Sequence, residues 1–109
     1  MELLVIILNK VELLNDLLSV LLESGISRAT ILDSEGLGQH LAYEVPIFAG
    51  LRKLVGDTKG YNKTVFALID GNGEIPELQK LLEGTGIDFT ETGTGIMFTV
   101  PVSSATRSD

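Results

Sequence analysis

The sequence predicts an α+β domain: one antiparallel sheet carrying two helices on a single face. Three observations lead there. Four apolar runs have strand length. Two amphipathic segments each lie between a pair of those runs. The chain has 109 residues, enough for one modest core and too few for two.

Met1–Leu8 is a nearly continuous apolar run, the pattern of a central strand buried on both faces. Asn9 and Glu12 have the spacing of a capping box at the start of a helix. Across Val11–Ser24 the polar residues Glu12, Asp16, Ser19 and Glu23 fall on one stripe. Val11, Leu14, Leu18 and Leu21 form the opposite stripe, widened by Leu17 and Leu22, so this helix packs on a sheet. Gly25 ends it. Arg28–Ser34 reads as a second strand, closed by Gly36-Leu37-Gly38.

Thr64–Ile69 is the third strand, and Asp70-Gly71-Asn72-Gly73 a turn cluster. Pro76 suits the first turn of a second helix with Ile75, Leu78, Leu81 and Leu82 on its apolar face. Ile96–Val102 is the last strand, with Pro101 at an edge or frayed end. Ser103–Asp109 is a polar, flexible tail. Strand, helix, strand, repeated once, gives a ferredoxin-like βαββαβ sandwich over residues 1–102, with a long loop between strands 2 and 3. Both helices cover one face of the sheet. The other face is left apolar and bare, and a second subunit is the simplest cover for it.

The long loop is the odd piece. Connections in compact domains usually run about 4–6 residues, and longer ones tend to carry function. Within it, Val45, Phe48, Leu51 and Val55 keep helical spacing, which predicts a short helix over a sheet edge or a mobile element that docks on a partner.

The composition excludes several functions. Net charge is −7, and the 8 Lys and Arg residues are scattered, which argues against nucleic-acid binding. With no cysteine there are no disulfides, thiolate metal sites or cysteine nucleophiles, and a cytoplasmic protein is expected. No run approaches the ~18 apolar residues of a membrane span. The apolar start lacks the basic region and cleavage site of a signal peptide. His40 is the single histidine, no second group is placed to make it a base, and no ligand spacing supports a metal. The sequence therefore predicts a protein that is not an enzyme.

Two glycine pairs remain, Gly36-x-Gly38 and Gly93-x-Gly95. Successive glycines let backbone N–H groups point into a concavity that suits an anion. At this point the sequence resembles the PII signal-transduction superfamily, the nitrogen regulatory proteins, over nearly the whole chain. "NKVELLNDLLSVLLESGIS" resembles the first helix of that family, and "ATILDSEGLGQ" the strand that opens its T-loop. "YNKTVFALID" is similar to the strand after the T-loop, and "GTGIMFTVPV" to the glycine turn and last strand. The resemblance implies a homotrimer that senses a small molecule, possibly an adenine nucleotide, in clefts between subunits. It implies a regulated protein partner engaged through a T-loop-like insertion at residues 37–60. It places the ligand at Thr30, Gly36, Leu37, Gly38, Gln39, Gly93, Thr94, Gly95 and Arg107. The departures are Thr94 for an aspartate, Ile96 for a phosphate-binding lysine, and Gln39 for an arginine. Asp109 stands where a second C-terminal arginine is expected. Weak ATP binding is the consequence. The alternative is a PII-like or CutA-like structural or interaction trimer without nucleotide binding.

Overall fold

The computed structural model describes residues 1–55, 61–71 and 74–108. The last five positions of the 37–60 insertion, Asn72 and Gly73 of the turn cluster, and Asp109 lie outside the described residues.

Four strands, β1 (Glu2–Leu8), β2 (Ala29–Glu35), β3 (Tyr61–Ile69) and β4 (Gly95–Pro101), form one antiparallel sheet in the order β2-β3-β1-β4. The two most apolar runs, β1 and β3, are central, and β2 and β4 are the edges. Pro101 ends an edge strand, where its missing N–H costs no ladder bond.

Side chains alternate across the sheet, so the register settles which residues share a face. Leu4, Ile6 and Leu8 of β1 lie beside Val65, Ala67 and Ile69 of β3 on one side. There they meet Leu17, Val20 and Leu21 of α1 (Leu14–Glu23) and Leu78 and Leu82 of α4 (Glu74–Gly84), which together make the core. The apolar stripe of α1 is therefore centred on Leu17 and Leu21. Leu22 and Val11, which the sequence pattern assigns to it, are 64% and 37% exposed. Residues Val11–Leu13 form a 3-10 turn ahead of α1, and no side chain caps it. Asn9 instead ties to the sheet, accepting at Oδ1 from Asn62 Nδ2 at 3.3 Å.

The opposite face carries Leu32, Phe66, Leu68, Leu3, Val5, Ile96, Phe98 and Val100. Leu32, Ile96, Phe98 and Val100 are exposed. The bare apolar face expected from the sequence is present.

The segment after β2 differs from its sequence reading. Gly36-Leu37-Gly38 does not close a turn: Gly36 precedes an eight-residue helix, α2 (Leu37–Glu44), and Gly38 lies inside it. A 3-10 stretch (Pro46–Leu51) and the one-turn α3 (Arg52–Val55) follow. The spacing of Val45, Phe48 and Leu51 matches a helix, but Val45 is extended and Pro46 starts a new segment. A residue before proline is pushed out of the α region, which divides the helix there. Arg52 fastens the pieces together. Its Nε donates to the Ala42 carbonyl at 2.9 Å, and its guanidinium lies over the Tyr43 ring at 4.8 Å. Ala42 is fully buried, whereas Leu37, Ile47 and Leu54 are 74%, 85% and 81% exposed. No helix among the described residues is long and apolar enough to cross a membrane.

Candidate functional site

The nine residues singled out by the sequence fall into three groups. Gly36–Gln39 sit at the end of edge strand β2, and Gly93–Gly95 at the start of edge strand β4. These are the same end of the sheet, but β3 and β1 stand between them, three strand spacings or about 14 Å. Thr30 and Arg107 belong to the other end, since Thr30 is six residues before Gly36 on an extended chain, about 20 Å away. One chain therefore does not bring all nine together.

The glycine turn has reasons in its own backbone. Gly93 has φ +89°, a left-handed conformation that side-chain-bearing residues rarely adopt, and its surroundings are open. Gly95 has φ +142°, and a Cβ there would lie 2.0 Å from the carbonyl oxygen of Ile7. The turn thus lets β4 start tight against β1. Between the glycines the Thr94 carbonyl accepts from Asn9 N–H at 2.9 Å, and the Thr94 N–H donates to the Glu91 carbonyl at 3.3 Å. Thr94 is 1% exposed, and its Oγ1 is the one buried side-chain polar atom among the described residues without a hydrogen-bond partner. A buried hydroxyl without a partner costs about 1–3 kcal/mol.

The approach to the turn is held by Asp88. Its carboxylate accepts from Thr90 Oγ1 at 2.6 Å and Thr90 N–H at 2.9 Å. These bonds, Thr90 Oγ1 first, hold the Asp88 carboxyl below the usual carboxylate value, and Lys10 adds a smaller pull in the same direction. A depressed carboxyl contributes stability that is present above the unfolded value and is lost as pH falls through the folded one. In Thr90→Val the Asp88 titration followed by NMR is expected to move up toward the ordinary value. An unchanged midpoint would show that the side-chain bond is not the main cause.

Between the two turns the top of the bare face is polar. Ser34 Oγ bonds to Asn62 Oδ1 and lies 2.7 Å from Thr64 Oγ1, and Asn62 passes the chain on to Asn9. Asn62 and Thr64 are buried, and with Thr94 they are the buried polar residues of the described chain. Sequence reading missed this network because Asn62 and Thr64 look like ordinary strand positions until the register sets them beside Ser34. At the start of α2, His40 Nδ1 lies 2.6 Å from Glu35 Oε1.

At the other end, Thr30 and Arg107 line one cavity of about 310 Å³ with Arg28, Phe66 and Leu68. The tail returns across β2 here, since Arg28 Nη1 donates to the Ser108 carbonyl at 2.6 Å. Arg28 was not legible as a site residue, because only the path of the tail puts it beside Arg107. Residues 103–108 are exposed and without regular structure. Among the described residues no group of three or more acids and histidines is placed to hold a metal ion. Compared with known proteins, the chain matches no family model and no curated sequence.

Proposed function

We propose that the chain is a PII-like regulatory protein of ferredoxin-like fold. It forms a cytoplasmic homotrimer that senses a small molecule between subunits and catalyses no reaction. One observation carries this reading: the site residues lie in separate groups at the two ends of the sheet, next to an uncovered apolar face. Each group is incomplete in one chain. Copies packed on that face complete the site by setting the Thr30–Arg107 end of one chain against the glycine turn of another. The insertion at residues 37–60 is the partner-facing element. Its exposed Leu37, Ile47 and Leu54 support that role, because apolar side chains on a preformed helical unit are ready contacts for another protein.

An adenine nucleotide fits this arrangement in part. Phe66 and Thr30 offer a stacking face and a hydroxyl, and Arg28 and Arg107 offer charge. Ile96, 53% exposed at the position of the family's phosphate-binding lysine, offers nothing to a triphosphate. A charge-assisted hydrogen bond contributes roughly 1.5–3 kcal/mol, so two or three lost bonds weaken ATP by several orders of magnitude. The expected order is AMP or ADP ahead of ATP, read by calorimetry and by ligand-dependent melting shifts. Micromolar ATP binding would overturn the charge argument. The second reading, a trimer without nucleotide binding, is favoured by the backbone reasons that both glycines already have. It stands if none of the three nucleotides shifts the melting temperature.

A further inference from the structure

A second cavity of about 310 Å³ lies beside the one just described and is bounded by Ser24, Ser27, Arg28, Asp70, Glu74 and Arg107. It opens where the end of α1, the start of β2, the end of β3 and the first turn of α4 meet. Its charges are segregated. Arg28 and Arg107 also line the cavity on the bare face with Thr30 and Phe66, so they form the wall on that side. Glu74 also lines the groove between Ile26, Leu78 and Leu81, so it belongs to the wall on the helix side. Glu74 is half-buried, and Asp70 stands at the end of β3. A polar cavity with two guanidinium groups on one side and the Glu74 carboxylate on the other is complementary to a ligand carrying the opposite pair of charges.

The geometry points to a binding site for a small zwitterion of the α-amino-acid type. The ligand carboxylate meets Arg28 and Arg107, whose planar donors match it in bidentate fashion. The ligand ammonium meets Glu74. The volume is at the lower end for ligand sites, which limits the ligand to metabolite size. Arg28 also holds the tail through Ser108, so ligand and tail share a side chain. The site shares Arg28 and Arg107 with the nucleotide reading but needs no second chain.

The test uses the full chain without nucleotide. Neutral L-amino acids from glycine to glutamine are titrated by NMR and calorimetry. Two matched halves of serine, ethanolamine and 3-hydroxypropionate, serve as probes of one charge at a time. At least one amino acid is expected to bind, and serine to bind about tenfold or more tightly than either half. Glu74→Gln and Arg28→Gln are each expected to weaken the bound amino acid about tenfold or more, the loss of one charge-assisted bond. Melting curves of the variants check that the fold is kept. Absence of binding by every amino acid overturns the proposal. So does equal binding by serine and its halves, or unchanged affinity in both wall variants.

Discussion

Replacing Gly95 by valine is expected to destabilise the domain by about 3 kcal/mol or more. Two costs add. A side-chain-bearing residue at φ +142° occupies a sparsely allowed region, worth about 1–3 kcal/mol. Its Cβ would also lie 2.0 Å from the Ile7 carbonyl oxygen, a backbone atom of the central strand that cannot swing aside. Forcing atoms into packed space costs about another 1–3 kcal/mol. Small domains hold only about 5–15 kcal/mol in all, so a melting shift on the order of 15 °C or outright unfolding follows. Gly93→Ala is the companion variant. Its Cβ meets open space, so the left-handed backbone alone is at stake, about 1–2 kcal/mol. The pair separates architecture from binding: Gly93→Ala keeps the fold and reports on any ligand cradled by the turn. If Gly95→Val melts like the parent protein, the close approach to β1 is not what that glycine is for.

The second large effect concerns the bare face. Phe98 is on edge strand β4, faces away from the helices and is 38% exposed, so a charge there is tolerable in an isolated chain. In the proposed trimer the same position is enclosed by neighbouring copies, where an unpaired carboxylate is costly to bury. Phe98→Asp is therefore expected to convert the trimer to a folded monomer, read as a fall in sedimentation mass to that of one chain. A parent protein that already sediments as one chain at micromolar concentration removes the trimer, and with it the site shared between subunits. Leu18→Asp is not an equivalent probe, because Leu18 packs against the core on the helix side and its loss would unfold the chain.

Much of the fold was legible because local pattern and global topology agree. The apolar runs at Met1–Leu8 and Thr64–Ile69 are best satisfied at the centre of a sheet, and the strands built on them are β1 and β3. Four-residue spacing of Leu17 and Leu21, and of Leu78 and Leu82, forces one face of each helix onto that sheet. One-sided helices then leave the other sheet face bare. Pattern was weaker where a side chain had two possible uses. Asn9 has the spacing of a cap, yet its amide oxygen serves Asn62, because the chain leaves β1 directly against β3. Leu37–Glu44 carries too few apolar positions at regular spacing to announce a helix, and what holds it is Arg52, ten residues beyond Ala42.

The sequence by itself determined the four strands, the two helices that cover the sheet, and the helix-covered and bare faces. These follow from periodicity, which acts over a few residues. Tertiary structure alone decided which side chains meet. It placed Thr94 with its hydroxyl buried and unpartnered, and it joined Ser34, Asn62 and Thr64 across two strands. It also brought Arg28 and Arg107 to one wall and Glu74 to another, around a cavity built from four distant parts of the chain. Contacts between residues 28 and 107 depend on strand order and on the path of the tail, and no local spacing encodes them.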